Sequence, residues 1–415
     1  MATETEIARR AKELLLANRR SGFDAATGRR YAYSRPSRRK YPWQWFWDSC
    51  FHAIALSHLD VELAKEELRT LVSAQRPDGF IPHIVFWGAG RLLQPWTYFQ
   101  SKLSLRPHTS ELMQPPVLAT AILAVFRRSE DAVFLSETLP AAKRYYRWLE
   151  DNRDPDGDGL ISIISPYESG LDHKPAYEIV FGARGAGVVR SVLRRRLLDL
   201  AHIVRGHNYD LKRIFALDLF NVEDVLVNCV YARGLQALAE LCVHAGERDE
   251  AKDFEARGER VEHAVFTKCY DEETGAYFDL YSRRERMAKT LTVTCLFPLI
   301  LRGGDPQVIE RLVREHLRNE NEFWLPFPVP SVARCEPSFS PAGEALIWRG
   351  PTWINTNWFL AEGLARRGYH AEAARIVENS RQLVLASGFR EFYDPFTGRG
   401  LGERDFGWST LVVDM

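Results

Sequence analysis

Two acidic side chains, far apart in the chain, have surroundings that suit acid–base chemistry. Asp172 lies in the segment Ser165–His173, which has two carboxylates and a glycine outside any helical pattern. Glu391 lies between Arg390 and a run of aromatic residues, just before a turn of the Asp-Pro-x-Thr-Gly type. A carboxyl group that keeps its proton and a second, ionised one are what hydrolysis of a glycosidic bond requires. We interpret the two residues as such a pair, with a helix cap as the alternative for Asp172.

Aromatic residues near the N-terminus suit the binding of a sugar. Trp43, Trp45 and Trp47 alternate along the chain, so they cannot all face one helical core, and an extended segment would put them on one side. Flat apolar rings bordered by hydrogen-bonding groups complement the C–H faces and hydroxyl rims of sugars. Asp48 would accept hydrogen bonds from two hydroxyls, cap the helix that follows it, or do both.

Other familiar site motifs are incomplete. Asp154, Asp156 and Asp158 imitate the first half of a calcium loop, but Ser165 stands where that loop needs a bidentate glutamate. We interpret this segment as a turn held by side-chain-to-backbone hydrogen bonds and predict no required metal. The six cysteines are scattered singly, and there is no glycine-rich phosphate loop, so no cofactor is predicted.

The composition is that of an ordinary globular enzyme. Of 415 residues, 46% are hydrophobic and 27% are charged. The 55 basic residues balance the 55 acidic ones, so no overall field attracts nucleic acid or an anionic membrane. The N-terminus lacks the pattern of a signal peptide, and no apolar run approaches the length of a membrane span. We predict a cytoplasmic protein.

Helical periodicity dominates the chain. Asp60 is placed to cap the helix after it, and Pro140 falls in the predicted first turn of another. Gly246 and Gly368 follow apolar helical runs, as C-terminal glycines do. The predicted helices are Ile7–Asn18, Val61–Ala74, Ala119–Arg127, Leu139–Asn152, Glu223–Ala245, Asp249–Phe266, Gln307–Leu317, Trp353–Arg366 and Ala371–Leu385.

These helices repeat one layout: an apolar helix, a charged amphipathic helix, then a long loop rich in aromatics, glycine and proline. Because each hairpin cannot bury its apolar helix alone, side-by-side packing gives an inner apolar ring and an outer charged ring. A closed toroid of about six hairpins would gather the long loops at one mouth, and an open solenoid is the alternative. Short strands are expected in the loops at Leu160–Ile164 and Ala276–Leu280. No linker divides the chain, so we predict one domain over residues 1–415.

Three motifs, taken together, resemble glycoside hydrolase family 63. They are Trp47-Asp48-Ser49, Glu168-Ser169-Gly170-Leu171-Asp172 and Arg390-Glu391-Phe392-Tyr393-Asp394-Pro395-Phe396-Thr397-Gly398. Each motif alone is weak, but their order and spacing match the family across nearly the whole chain. The sequence is most similar to the short bacterial members, which hydrolyse mannosylglycerate or glucosylglycerate and are little more than an (α/α)6 barrel. The resemblance thus implies an all-α (α/α)6 barrel with aromatic-rich loops and short β-segments at one mouth.

The resemblance also implies roles for individual residues. Asp172 falls on the general acid, Glu391 on the general base, and Asp48 on the residue that holds the sugar before the scissile bond. Further substrate-binding positions implied in this way are Tyr41, Trp45, Trp47, Gln114, Gly170 and Trp348. The implied mechanism is a single displacement with inversion, with the two carboxyl groups about 6.5–9.5 Å apart.

The sequence departs from the family beside the expected base. Asp394 stands where the family usually has Asn, and Phe392 where it often has Tyr. Both residues flank Glu391 and leave the base itself in place. Arg390 is expected to favour the ionised form of Glu391, and an apolar or like-charged setting is expected to keep Asp172 protonated.

The expected substrate is 2-O-α-mannosyl-glycerate, a compatible solute, cleaved to mannose and glycerate. Its carboxylate requires Arg, Tyr or backbone N–H donors, and Arg205 is our candidate, with a surface role as the alternative. Trp87 and Tyr98 are expected to line the pocket or, alternatively, to pack in the core. Glucosylglycerate is the alternative substrate, because mannose and glucose present nearly the same apolar face.

Two functions of other classes are kept open. A sugar epimerase or isomerase on the same toroid would use paired histidines as its bases. A non-catalytic carbohydrate-binding protein would retain the tryptophans but have no use for two opposed carboxylates. The expected partner is a small glycoside, and self-association into a homo-oligomer is possible.

Overall fold

Helices dominate the computed structural model, which describes residues 2–89, 108–182, 198–201, 203–342 and 346–415. The α-helices are α1 (Ala2–Ala17), α2 (Phe46–Leu59), α3 (Val61–Ser73), α4 (Leu118–Ser129), α5 (Ala132–Arg153), α6 (Ala176–Val180), α7 (Leu211–Leu217), α8 (Val225–His244), α9 (Arg248–Lys268), α10 (Pro306–Leu312), α11 (Ile354–Arg366) and α12 (His370–Ser387). Short 3-10 helices cover Pro166–Glu168, Val293–Ile300 and Gly407–Val413, and a π-helical turn covers Val313–Leu317.

Six apolar segments form a closed inner ring. In order around the ring they are α2, α4, α8, the segment Val293–Ile300, α11 and the segment Gly407–Val413. Each contacts the next, and the last contacts α2 again. Because the ring closes on itself, the molecule is the predicted toroid and not an open solenoid.

An outer layer of amphipathic helices covers this ring. Helices α3, α5, α9 and α12 pack on α2, α4, α8 and α11 respectively, each pair being consecutive in the chain. A fifth pair joins α1 to Gly407–Val413, which lie far apart in the sequence. The repeat analysis missed this hairpin because its two halves are not consecutive. The all-α fold class is confirmed.

Most predicted helix ends are confirmed. The carboxylate of Asp60 accepts a hydrogen bond from the N–H of Leu63 and caps α3. Gly246 and Gly368 follow α8 and α11 with φ angles of 79° and 87°, in the left-handed region that favours glycine.

The prediction for Pro140 was wrong. Helix α5 begins at Ala132, so this proline lies inside the helix and not in its first turn. The earlier start is explained by Asp131, whose carboxylate accepts hydrogen bonds from the N–H groups of Val133 and Phe134.

The strands are short. They are β1 (Arg19–Asp24), β2 (Arg29–Ser34), β3 (Gln44–Trp45), β4 (Ile84–Val85), β5 (Val222–Glu223), β6 (Tyr270–Asp271), β7 (Ala276–Tyr277), β8 (Leu280–Tyr281), β9 (Arg286–Met287), β10 (Arg390–Tyr393) and β11 (Gly400–Arg404). The antiparallel pairs are β1–β2, β3–β4, β6–β7 and β10–β11, and β5, β8 and β9 form a three-stranded sheet.

The two predicted strands are only partly confirmed. The segment Ala276–Leu280 divides between β7 and β8. In Leu160–Ile164 a single residue, Ile163, forms an antiparallel bridge, with Val222. The rest of this segment is not a strand because its N–H groups bond elsewhere, for example that of Ile161 to the side chain of Asn228.

The main hydrophobic cluster extends from Ile7 in α1 to Val412 in the last inner segment. It includes residues of all six inner segments, so the ring is filled by side chains. The single domain over residues 1–415 stays a prediction, which this shared cluster supports. Among the described helices, none is long and apolar enough to cross a membrane.

Candidate active site

A cavity of about 120 Å³ at one mouth of the ring brings the two predicted carboxyl groups together. Asp172 and Glu391 both line it. The other lining residues are Pro36, Tyr41, Trp45, Trp47, Asp48, His83, Gln114, Tyr167, Gly170, Ile347, Trp348, Phe406 and Trp408. Of the predicted site residues in the described part of the chain, Trp87 and Arg205 are missing from this lining.

Tyr41 marks the centre of the acidic groups. Its hydroxyl donates to Oε1 of Glu391 at 2.9 Å. Burial raises the pKa of Tyr41 well above its usual value, and the negative charges of Glu391, Asp172 and Asp48 raise it further. The phenol therefore stays protonated at neutral pH and acts as a donor among three carboxyl groups.

Glu391 lies on β10 and is almost fully buried, with 2% of its surface exposed. Besides Tyr41, the backbone N–H of Glu403 donates to its Oε2 at 2.9 Å, and the ammonium of Lys40 approaches the same oxygen at 3.4 Å. Donors thus reach both oxygens of the carboxylate. They fix its orientation toward the cavity.

The guanidinium of Arg390 has no hydrogen bond or ion pair with the carboxylate of Glu391 among the described contacts, so the expected support of the base by Arg390 is not found there. Its guanidinium donates instead to the carbonyl oxygens of Leu401 and Gly402 on β11. The reason is the period of a strand, in which successive side chains point to opposite faces. Lys40 supplies the positive charge in its place, from the position just before Tyr41.

Asp48 faces the cavity from the first turn of α2. The residue before the helix is Trp45, so the carboxyl group of Asp48 does not cap it. Its Oδ1 is buried and has no hydrogen-bond partner among the described residues. Burial raises the pKa of Asp48 well above its usual value, and Glu391 and Glu67 add to the effect. An acceptor buried in this way fits the hydroxyl groups of a ligand better than a structural role.

Tryptophan rings form the walls. Trp47 meets Trp408 edge-to-face, with ring centroids 5.8 Å apart, and Trp348 stacks on Trp353 at 3.5 Å. Trp43, in contrast, packs against Phe86 outside the lining. The expectation of three rings on one side was wrong because the chain turns from β3 into α2 at Phe46, which ends the alternation.

We call the segment Ser165–His173, which carries Asp172, the acid loop. Gly170 permits this loop to pass close to Trp47. Its φ is +74°, and an added Cβ would lie 2.4 Å from the indole. We expect Gly170→Ala to displace this ring by about 1 Å, which lowers kcat/KM roughly 10²-fold. Gly182→Ala is the matched control, because its φ is +67° and no atom of the described residues lies within 4 Å of its added Cβ. Equal kinetic losses in the two variants would show that backbone strain alone is responsible.

A fully buried ion pair holds the start of the acid loop. Glu168 accepts two hydrogen bonds from Arg153, at 2.9 and 2.6 Å. The same carboxylate accepts from the backbone N–H groups of Met113 and Ile164, at 3.0 and 2.7 Å. It therefore joins the end of α5, the segment before α4 and the loop that leads to Asp172.

We expect Glu168→Gln to lower the free energy of unfolding by about 3–5 kcal/mol, because it leaves the buried Arg153 without its counter-charge. Equilibrium urea unfolding measures the loss. The control is Glu137→Gln, which breaks the exposed pair with Arg69 and should cost no more than about 1 kcal/mol. Similar losses in both variants would contradict a special role for the buried pair.

A second buried cluster holds the end of the acid loop. The ammonium of Lys174 pairs with the carboxylates of Asp224 and Asp279, all three side chains being at most 2% exposed. Burial alone would lower the pKa of Lys174, but the two carboxylates raise it above the usual value. Arg349 donates to the carbonyl of His173 at 3.1 Å. Asp172 is thus fixed from both sides.

Two predicted residues, Trp87 and Arg205, are missing from the described lining of the cavity, and a third, Tyr98, is not tested. Trp87 stacks on Tyr31, and its indole N–H donates to Gln44 at 2.6 Å, so its hydrogen bond is already satisfied in the core. Arg205 is partly buried and lies outside the described lining. Tyr98 falls outside the described residues.

Sequence reasoning missed Trp408 and Lys40. The indole N–H of Trp408 donates to the carbonyl of Glu391 at 3.0 Å, and its ring lines the cavity. It lies in the inner segment that the repeat analysis did not find. Lys40 had one usable signal, its place directly before the aromatic run that starts at Tyr41.

Comparison with known proteins decides the family. The model of the mannosylglycerate hydrolase MGH1-like glycoside hydrolase domain matches residues 41–409. The chain belongs to this family. It is therefore a glycoside hydrolase, and the resemblance to family 63 is confirmed.

Curated relatives share this assignment over most of their length. A mannosylglycerate hydrolase of Thermus thermophilus is 34% identical over 416 residues, covering 92% of this chain and 96% of the relative. A glucosylglycerate hydrolase of Mycolicibacterium hassiacum is 31% identical, with 90% and 91% covered. Some relatives of the chain are thus named for mannosylglycerate and another for glucosylglycerate.

A solved structure supports the fold independently. The crystal structure of a family 63 mannosylglycerate hydrolase from Thermus thermophilus, in complex with Tris and D-glycerate, superposes with a TM-score of 0.84. Its sequence is 31% identical, and 98% of each chain is covered. The predicted helical barrel is therefore confirmed.

Proposed function

We propose that this protein hydrolyses 2-O-α-mannosyl-glycerate to mannose and glycerate with inversion at the anomeric carbon. One observation carries the proposal: Asp172 and Glu391 line one small cavity walled by tryptophan rings. Family membership supports the hydrolytic class. The names of the Thermus thermophilus and Rubrobacter radiotolerans relatives favour mannosylglycerate as the substrate.

In the proposed mechanism Asp172 is the general acid. It gives its proton to the glycosidic oxygen as the bond from that oxygen to the anomeric carbon breaks. Glycerate leaves as the alcohol. The two buried clusters at Glu168 and Lys174 act as supports that keep this carboxyl group at the leaving oxygen.

Glu391 is the proposed general base. It takes a proton from water on the opposite face of the sugar, and the water oxygen forms the new bond to the anomeric carbon. The donors from Tyr41 and Glu403 hold one lone pair of each carboxylate oxygen and orient the group. Asp48 is the proposed acceptor for sugar hydroxyls, with Trp45, Trp47, Gln114 and Trp348 around the ring.

Glucosylglycerate is the second candidate substrate, favoured by the relative from Mycolicibacterium hassiacum. The deciding experiment follows hydrolysis of both glycosides side by side by NMR. We expect mannosylglycerate to react with the higher kcat/KM and to release the β-anomer first. An α-anomer as the first product would contradict inversion, and no sugar release from either compound would contradict the proposed function.

The epimerase alternative finds no support at the cavity. Among the described lining residues there is one histidine, His83, where that chemistry requires a pair. A cytoplasmic location, a compatible solute as substrate, and self-association all stay predictions. Arg205 also stays a predicted ligand for the glycerate carboxylate.

A further inference from the structure

Three aspartates outside the active site lie unusually close together. Asp154, Asp156 and Asp158 each offer a carboxylate oxygen within 4.8 Å of the others. The N–H groups of Gly157 and Gly159 donate to Asp154 at 2.7 and 3.0 Å, so the predicted turn is present. The turn, however, directs three carboxylates toward one point, where like charges repel unless a cation neutralises them.

Two cations beside this group are shared with other carboxylates, and Lys212 and Arg283 in the cavity lining have no ion pair with the three aspartates among the described contacts. The ammonium of Lys268 pairs with Asp158, but it also pairs with Glu285 at 2.9 Å. The guanidinium of Arg260 pairs with Glu150 at 2.5 Å. An excess of negative charge therefore remains on the turn.

A fourth carboxyl group joins the three aspartates. Glu223 on β5 is only 7% exposed, and its Oε2 has no hydrogen-bond partner among the described residues. The group lines the same cavity as Asp154 and Asp156. A buried carboxyl oxygen without a partner is costly and requires a ligand or a proton.

An amide oxygen lies on the same side of the chain. Asn221 is two residues before Glu223 in an extended segment, so both side chains share one face. The NH₂ group of Asn221 donates to the carbonyl of Phe215 at 3.0 Å. Its Oδ1 is buried without a partner in the described chain, and the residue lines the same cavity of about 560 Å³.

We propose that Asp154, Asp156, Asp158 and Glu223 bind one Ca²⁺ ion. Calcium takes several oxygen ligands in flexible geometry, including bidentate carboxylates, whereas Mg²⁺ demands a near-ideal octahedron and retains water. The expectation of no metal rested on Ser165, which replaces the glutamate of a continuous calcium loop. Glu223 supplies that glutamate from a separate strand.

The site has a structural consequence. It joins the turn after α5 to β5, which is already linked to the same segment by the hydrogen bonds between Ile163 and Val222, at 2.8 and 3.2 Å. From Ile163 the chain continues directly into the acid loop. The ion therefore stabilises the antiparallel bridge between Ile163 and Val222, just before the acid loop starts. It does not touch the substrate.

The test uses the full chain, stripped with EDTA and dialysed, then titrated with CaCl₂ by isothermal calorimetry. We expect one Ca²⁺ per chain. Saturating CaCl₂ should raise the Tm by at least about 3 °C, and MgCl₂ should raise it less. Absence of stoichiometric Ca²⁺ binding overturns the proposal and leaves Lys268 as the counter-charge of the turn.

Three variants separate the site from a general charge effect. Glu223→Gln and Asp156→Asn should weaken Ca²⁺ binding at least tenfold, whereas Asp151→Asn, in the same cavity but outside the cluster, should keep the parent affinity. Without metal, Glu223→Gln should unfold close to the parent Tm, because the amide keeps the size of the side chain and the metal-free site has no cation to lose. Parent-like Ca²⁺ affinity in Glu223→Gln would refute the site.

Discussion

The Glu391→Gln variant is expected to hydrolyse mannosylglycerate roughly 10²–10⁴ times more slowly than the parent protein, because an amide cannot take a proton from water. Gln has nearly the same size as Glu, and its amide oxygen still accepts from Tyr41 or Glu403, so the fold and KM should change little. Initial rates of mannose release at several substrate concentrations separate kcat from KM.

Glu403→Gln is the matched control for this variant. It removes a carboxylate close to the base but keeps the backbone N–H that donates to Glu391. We expect its kcat to stay within a factor of about two to three of the parent value, an order-of-magnitude expectation for a side chain outside the cavity lining. A Glu391→Gln enzyme with nearly full activity would remove this residue from the mechanism.

For Asp172→Asn we expect a loss that depends on the leaving group. With mannosylglycerate the loss should be roughly 10²–10⁴-fold, since the departing alkoxide needs a proton. With an aryl α-mannoside whose phenolate leaves without protonation, the loss should be much smaller. Measuring kcat/KM of the parent and the variant on both substrates gives the ratio of the two losses.

The comparison with the base variant makes this ratio informative. Glu391→Gln should slow both substrates alike, because attack by water is needed in either case. A variant whose acid loop has merely moved would also lose activity on both. Equal losses for Asp172→Asn would therefore point to a disturbed loop and not to a missing proton donor.

The parts of the site carried by contiguous motifs were predictable from the sequence. Asp48, Asp172 and Glu391 each lie in a short segment whose residue types suit the chemistry, and all three meet at one cavity. The ring of hairpins was predictable as well. Each consecutive helix pair has one apolar helix, which must be buried inside the ring, and one charged helix, which covers it from outside.

The parts that depend on tertiary placement were not predictable. The cation that reaches the carboxylate of Glu391 is Lys40 and not the adjacent Arg390. The reason is that successive side chains of a strand point to opposite faces. Trp408 reaches the cavity from a 3-10 segment too short for helical periodicity to reveal. Glu223 lies far from the aspartates in sequence, so no loop pattern contains it.

Closure of the ring by α1 and Gly407–Val413 has a consequence for biosynthesis. Helix α1 is synthesised before the other described helices, yet its buried residues, such as Ile7 and Leu15, pack into a cluster that includes Leu411 and Val412. Asn18 also bonds to the carbonyl of Asp405 at 2.9 Å. A nascent chain must therefore leave the apolar face of α1 only partly covered until Gly407–Val413 has been synthesised, and that interval is when chaperone protection matters most.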